Sequence, residues 1–125
     1  MDQEWEGLVP AWVFLPDVAT RLGIADRQVR SLVRDGKLLA FRVGPNKALA
    51  VPEDFIVADP DNPGQEHVLP ALRGSLTQLA DSGYDDVETL RWLYTHEESL
   101  DSTPIAALRG GRVATVRRAA QGLAF

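Results

Sequence analysis

The chain has 125 residues, a hydrophobic content of 45%, a formal net charge of −5 and no cysteine. This length fits one globular domain with a small appendage, and the lack of cysteine excludes a disulfide scaffold and any thiolate metal or redox site. The two histidines, His67 and His96, lack metal-ligand spacing, so we expect no metal and no other cofactor. The acidic N-terminal segment does not look like a signal peptide, and no apolar run approaches the roughly 20 residues that span a bilayer. We therefore expect a cytoplasmic protein that makes no membrane contact.

The first apolar segment contains Trp12 and Phe14, which alternate with Val13. This period-two pattern predicts a short extended segment that enters the core. Large aromatic side chains contribute strongly to cores, so we interpret Trp12 and Phe14 as packing residues. The alternative is a stacking platform for a ligand.

Two short helices follow. Pro16 suits the first turn of a helix, an apolar stripe of Val18, Ala19 and Leu22 predicts its buried face, and Gly23 can end it in a left-handed conformation. A second helix, 26–35, carries apolar Val29, Leu32 and Val33 on one face. Ala25 stands where a capping Ser or Thr is usual, so Asp26 is expected to supply the cap. Gly36 is the expected C-terminal glycine.

A β-hairpin is predicted next. Strand-forming residues run from Leu38 to Val43, a turn follows at Gly44-Pro45-Asn46-Lys47, and Ala48 to Val51 form the returning strand. Two helices followed by a hairpin define a winged helix-turn-helix. The expected fold is therefore mainly α with a small β-hairpin wing, comprising a winged domain at residues 1–57 and a C-terminal helical region at 66–125.

The winged segment is basic although the chain is acidic. Between Leu15 and Ala50 there are seven basic and three acidic residues, which gives this segment a charge of +4. Local charge decides where a phosphate backbone can dock, so we expect double-stranded DNA as the partner, read by helix 26–35 and gripped by the 41–51 wing. The alternative is a solvated charged face. The candidate DNA contacts are Arg27, Gln28, Arg30 and Ser31 in the major groove, Arg34 on its flank, and Lys37, Arg42, Asn46 and Lys47 on phosphates.

The rest of the chain predicts helices. Residues 58–65 form a turn-rich linker or surface loop, and Val68, Leu69, Leu72, Leu76 and Leu79 predict an amphipathic helix that ends near Gly83. Asp85 or Asp86 is expected to cap the next helix, rather than to form a paired-carboxylate active site. Two further helices are expected at 104–108 and 113–123. Arg112, Arg117 and Arg118 form either a second phosphate patch or a solvated face that complements a helix dipole.

Several runs resemble a known family. The exit Arg34-Asp35-Gly36-Lys37-Leu38 and the step Val51-Pro52-Glu53-Asp54 resemble the excisionase and MerR-like helix-turn-helix class. With Ser82 to Asp86, Arg91 to Tyr94 and Val116 to Ala119, the chain resembles a family of small actinobacterial winged helix-turn-helix proteins. The resemblance implies a DNA-binding protein, expected to be a transcriptional regulator associated with the nucleoid when bound.

Other features of the resemblance keep an alternative open. One mycobacterial branch is linked to Ser/Thr kinase signalling through an N-terminal tail, but no Ser or Thr precedes Thr20, so that regulation is not expected through such a tail here. Residues 92–116 also resemble the C-terminal domain of Xre-type antitoxins. The alternative function is therefore a protein-interaction module, antitoxin-like or an adaptor, and region 66–125 is expected to pack on the winged domain, form a homodimer or bind a protein partner. No nucleophile–base pair, metal spacing or phosphate loop suggests an enzyme.

Overall fold

The structure is a computed structural model that describes residues 4–123. Its helices are α1 (Leu15–Leu22), α2 (Asp26–Arg34), α3 (Leu72–Asp81), α4 (Asp86–Leu93), α5 (Pro104–Arg109) and α6 (Val113–Gln121). Its strands are β1 (Trp12–Phe14), β2 (Phe41–Val43), β3 (Ala48–Pro52), β4 (Ile56–Ala58) and β5 (Glu66–Val68), and 3₁₀ turns occupy Glu4–Leu8 and Glu53–Phe55. The described chain forms two compact units: a winged unit, residues 9–70, and a helical unit, residues 4–8 with 71–123.

The winged unit contains the predicted winged helix-turn-helix. Helices α1 and α2 pack together, and a three-stranded antiparallel sheet has the order β1-β3-β2. Val13 pairs with Val51 and Arg42 pairs with Leu49 across the sheet. The prediction of a mainly helical fold with a small hairpin wing is therefore confirmed.

The aromatic face of β1 was assigned wrongly. Val13 is the buried residue of this strand, whereas Phe14 is 42% exposed. Trp12 is half-buried and packs edge-on against Phe41, with 5.9 Å between the ring centroids. A three-residue strand has two faces of similar apolar content here, so alternation alone did not show which face the core would take.

Both helices of the motif end at the glycines predicted to terminate them. Gly23 adopts φ +70°, and the N–H of Ile24 donates to the carbonyl of Ala19. Gly36 adopts φ +75°, and the N–H of Lys37 donates to the carbonyl of Leu32. These six-to-one bonds close the last turns of α1 and α2.

The first strand of the wing is shorter than predicted. It begins at Phe41, because β3 pairs with β2 only through Ala48 to Ala50 and with β1 through Ala50 to Pro52. Leu38 is fully buried although it lies outside the strand. Its apolar character therefore reflects packing in the core rather than pairing in the sheet.

Residues 59–65 form the loop of a second hairpin, β4–β5. Of the two predicted alternatives for this stretch, linker or surface loop, the structure shows the loop. The hairpin is attached to α1 through Arg21, whose Nε and Nη2 donate to the two carboxylate oxygens of Glu66 at 2.7 and 2.8 Å. Arg21 Nη1 also donates to Glu53 at 2.9 Å, and Gln65 Nε2 donates to the carbonyl of Leu22 at 2.7 Å. The hairpin therefore belongs to the winged unit, residues 9–70.

The start of the helical unit also differs from its prediction. Val68 lies in β5 and Leu69 is buried outside any helix. Helix α3 begins only at Leu72, because Ala71 adopts a left-handed conformation with φ +71° that interrupts the helical backbone. The predicted helix therefore began too early, although Leu72, Leu76 and Leu79 form its buried face as expected.

The remaining helices agree with their local signals. Gly83 follows the end of α3 and adopts φ +93°. Asp85 caps α4 by accepting from the N–H of Glu88 at 2.8 Å. Glu88 in turn accepts from the N–H of Asp85 at 2.9 Å, which completes a capping box. Asp85 is therefore a structural cap, as predicted. No helix in residues 4–123 is long and apolar enough to cross a membrane.

Candidate nucleic-acid interface

Helix α2 presents one polar face to solvent. Val29 is fully buried and fixes the helix on the winged unit, while Arg27, Gln28, Arg30 and Arg34 are exposed and Ser31 is half-buried. Residues three and four positions apart share a helix face, so the predicted reading residues do lie on a common surface. This surface is the one a helix would offer to a DNA groove.

Gln28 closes the start of α2. Ala25 has the extended backbone of a cap residue but no side-chain acceptor, so the usual first half of a capping box is missing. The reciprocal half exists, because Oε1 of Gln28 accepts from the N–H of Ala25 at 2.7 Å. The expected cap by Asp26 is therefore wrong: that residue lies inside the helix, where its carboxylate accepts from Arg30 Nε at 3.2 Å.

The other polar side chains of α2 are also held by short-range bonds. Ser31 Oγ donates to the carbonyl of Arg27 at 3.1 Å and accepts from Arg34 Nη2 at 3.0 Å. Arg34 Nε also lies 3.7 Å from Asp35 Oδ1. The polar face is thus partly ordered before any ligand arrives.

The wing tip combines two left-handed residues with exposed polar groups. Gly44 adopts φ +74° and Lys47 φ +51°, and the N–H of Lys47 donates to the carbonyl of Gly44 at 3.2 Å. Arg42 Nη1 donates to the carbonyl of Lys47 at 3.1 Å. Asn46 and Lys47 are exposed at the tip, so the wing carries its cations at its outer end.

Acidic neighbours reduce the positive charge unevenly. Arg30 is paired with Asp26, and Arg34 lies beside Asp35. The side chains of Arg27 and Lys37 have no ion pair within residues 4–123. The strongest field on this unit is therefore expected at the start and just beyond the end of α2.

A shallow groove of about 420 Å³ lies between α2 and the wing. Arg30 of α2 and Arg42 of β2 both line it, and Phe14 lies between these elements at the start of α1. Phe14 was predicted to pack in the core and was therefore not among the candidate surface residues. The complete lining is Phe14, Leu15, Pro16, Arg30, Arg42, Ala48 and Leu49.

The helical unit contains a second basic stretch, which is free of acidic residues. Between Ser102 and Leu123 there are four arginines and no acidic residue. Arg112 has a structural role, because its Nη1 donates to the carbonyl of Leu100 at 2.9 Å and ties the start of α6 to the loop between α4 and α5. Arg117 and Arg118 are exposed near the end of α6, where cations also complement the helix dipole.

The charged helix α2, the turn before it and the hairpin after it together define the winged helix-turn-helix class of proteins. Residues 8–56 match the family described as the winged helix-turn-helix domain of DNA-binding protein Rv2175c. Residues 69–124 match the Rv2175c C-terminal domain, whose function is described as unknown. The chain belongs to the Rv2175c family.

Similarity to individual members extends along both chains. The DNA-binding protein Rv2175c of Mycobacterium tuberculosis (strain ATCC 25618 / H37Rv) is 35% identical over 123 residues, which cover 89% of this chain and 79% of that protein. The NMR structure of Rv2175c matches with a TM-score of 0.77 at 31% identity and covers 100% of this chain and 85% of the other. The actinobacterial resemblance inferred from the motifs is thereby confirmed.

Proposed function

We propose that the protein binds double-stranded DNA and regulates transcription, with α2 in the major groove and the wing on the sugar–phosphate backbone. The observation that carries the proposal is that Arg30 of α2 and Arg42 of the wing line one groove, beside the other exposed cations of α2. The relative Rv2175c is itself named a DNA-binding protein. Cytoplasmic and nucleoid localisation follows from this proposal.

Arg30 is the best candidate for reading a base. Only its Nε is used by Asp26, so its two terminal NH₂ groups can point to the O6 and N7 acceptors of one guanine, the commonest specific contact in the major groove. Arg27 lies one turn earlier on the same face, and Ser31 lies beside Arg30. The early position of these residues in α2 suits the part of a recognition helix that enters most deeply.

Gln28 has a narrower role than the sequence suggested. A glutamine that reads adenine uses its oxygen as acceptor and its amide as donor together. Since the oxygen is held by the N–H of Ala25, reading adenine would require that bond to be shared or broken, whereas the NH₂ group makes no hydrogen bond within residues 4–123. We therefore assign it a single donated bond to a base or a phosphate.

The remaining candidates suit phosphate contacts. Lys37 follows the C-terminal glycine of α2, and Asn46 and Lys47 lie at the wing tip. Arg34 and Arg42 are both exposed, and each guanidinium carries five donors in total. These five residues are therefore proposed to position the protein rather than to choose the sequence.

Fluorescence anisotropy with a random-sequence duplex tests DNA binding directly. We expect micromolar affinity at low salt that weakens steeply as salt rises. Lys47→Asn removes one charge while keeping a residue that tolerates the left-handed backbone, and it should flatten the salt dependence by about one unit for every sequence. Arg73→Gln, an equal charge change on α3 of the helical unit, is the matched control. Absence of binding by the wild-type protein would instead favour the protein-interaction module.

Selection of bound duplexes from a random pool tests sequence reading. A preferred site is expected, and Arg30→Ala should lose roughly 1–3 kcal/mol of binding free energy and relax the preference at one position. A palindromic site would support a homodimer, because dimeric helix-turn-helix proteins bind paired half-sites. A single half-site would leave residues 66–125 for packing or for another protein partner. An Arg30→Ala protein that selects the same sites as wild type would remove α2 from the reading role.

A further inference from the structure

Phe14 is the one large hydrophobic side chain that is exposed in the described chain, at 42%. Its position is fixed on both sides, because Val13 is 7% exposed in β1 and Leu15 is 2% exposed in α1. Single exposed hydrophobic residues are ordinary on protein surfaces. The surroundings of Phe14 are therefore what give it meaning.

Phe14 lies in the groove that connects the two predicted DNA contacts. Arg30 reaches the groove from α2 and Arg42 reaches it from the wing, while Leu15, Pro16, Ala48 and Leu49 supply apolar lining. None of the seven lining residues is acidic. The groove thus combines two cations with an apolar surface, which suits an anionic chain that also has apolar faces.

We propose that this groove holds the sugar–phosphate backbone of one DNA strand, with the ring of Phe14 against a deoxyribose and Arg42 directed at the adjacent phosphate, while Arg30 extends past the backbone to its base. The proposal rests on the proposed function and adds a backbone contact to it. Two cations and no acid line the groove, which favours a polyanion over an apolar peptide. Duplex DNA carries one negative charge per about 1.7 Å of its axis, whereas a second copy of this chain carries a net charge of only −5, so DNA is the favoured occupant. Because every nucleotide carries the same sugar, Phe14 should add affinity without adding sequence preference.

Substitution of Phe14 distinguishes an apolar contact with deoxyribose from an ionic contact with phosphate. Full burial of a phenylalanine side chain is worth about tenfold to more than a hundredfold in a binding constant. Because Phe14 is already more than half covered, Phe14→Ala should weaken binding to random duplex by about fivefold. The salt dependence should stay unchanged, since no charge is lost, whereas Arg42→Gln should flatten it by about one unit. Phe14→Leu should recover most of the affinity.

Val57→Ala, which trims a partly exposed residue of β4 in the same unit, is the matched control and should bind like wild type. Thermal unfolding of each variant shows whether the fold is retained. If Phe14→Ala binds within twofold of wild type while Arg42→Gln is weakened, the groove proposal is wrong and the proposed function survives. If wild type itself binds no duplex, the proposed function fails first.

Photocrosslinking gives a direct positional readout. The substitution Phe14→p-benzoylphenylalanine should yield a protein–DNA adduct on irradiation with the random duplex, and the same substitution at Val57 should yield none. An adduct between two protein copies at position 14 would instead show that a second copy of this chain occupies the groove. No adduct at position 14, with DNA binding retained, would also overturn the proposal.

Discussion

Replacing Gln28 separates the stability of α2 from its contacts with DNA. Gln28→Ala removes the acceptor that holds the N–H of Ala25 at 2.7 Å. Loss of an exposed capping bond costs about 0.5–1 kcal/mol, and the better helix propensity of alanine returns a few tenths of that. A net loss of about 0.5 kcal/mol lowers the melting temperature of a domain of this size by about 2–4 °C.

Gln28→Glu keeps the acceptor and reverses the prediction for stability. A carboxylate in the first turn of a helix also interacts favourably with the helix dipole, by about 0.3–1 kcal/mol, so this variant should unfold at or above the wild-type temperature. Its effect on DNA is the opposite. The substitution replaces a donated hydrogen bond by a negative charge that faces phosphates, so affinity should fall by at least about tenfold, more than for Gln28→Ala.

Thermal unfolding followed by circular dichroism and duplex binding followed by anisotropy measure the two effects on the same samples. Gln121→Ala, at the exposed end of α6, controls for the loss of an amide that caps nothing. Equal melting temperatures for Gln28→Ala and wild type would show that the bond to Ala25 does not stabilise α2. Wild-type affinity in Gln28→Glu would place Gln28 outside the DNA interface.

Three further predictions concern the fold that supports the surface. The hydrogen bond from Arg21 holds the pKa of Glu66 below its ordinary value of 4.5, so the stabilisation by this pair is present above about pH 4.5 and is lost as pH falls through the lowered pKa. Glu66→Gln should therefore cost about 1–2 kcal/mol near neutral pH and converge with wild type in acid, while the half-exposed Glu53→Gln should cost under about 1 kcal/mol; parallel melting curves at all pH values would contradict this. Leu38→Ala should cost about 2–5 kcal/mol in urea unfolding because the side chain is fully buried, and a cost under 1 kcal/mol would show that its site collapses readily. Asp85→Ala should cost about 1 kcal/mol and Asp85→Asn much less, so equal losses would argue against the cap.

The parts of the fold that could be predicted are those set by local chemistry. Gly23 and Gly36 end their helices because a left-handed residue is needed there. Asp85 caps α4 because its acceptor lies within three residues of the donor. Such features depend on neighbouring residues alone, so one sequence is enough to place them.

The parts that were missed depend on distant residues. In the sequence, Glu66 simply follows a loop. Its role in attaching β5 to α1 depends on bonds to Arg21, which lies 45 positions earlier. The exposure of Phe14 is decided by the pairing of Val13 with Val51 across the sheet. Neither contact leaves a periodic signal, which explains why the second hairpin was not predicted and why the predicted aromatic core face differs from the structure.

For the candidate site, the sequence predicted the residue types and the common face, but not the bonds that already hold them. The pair of Asp26 and Arg30 has the four-residue spacing of a helical ion pair and could have been recognised. The bond from Ala25 to Gln28 was obscured because a capping box is normally recognised by its first residue, and alanine cannot serve as one. A glutamine at the third helical position was the remaining signal.

These bonds within α2 bear on how the proposed interface would work. Holding a long side chain in one conformation costs free energy at the moment of binding, and Asp26 has already oriented Arg30 while Ser31 has oriented Arg34. Asp26 also withdraws positive charge from the surface, which reduces attraction to any duplex equally. Asp26 thus lowers the attraction to any DNA and fixes the geometry of Arg30. Both effects raise the ratio of specific to non-specific affinity, which is the quantity that matters for a regulator among many competing sites. Asp26→Asn should therefore bind random duplex more tightly than wild type and discriminate less well against it. The deciding measurement is the affinity for the selected site divided by the affinity for random duplex, in both proteins. A lower ratio in Asp26→Asn supports orientation of Arg30 by Asp26, whereas an unchanged ratio means that Asp26 acts through its charge alone.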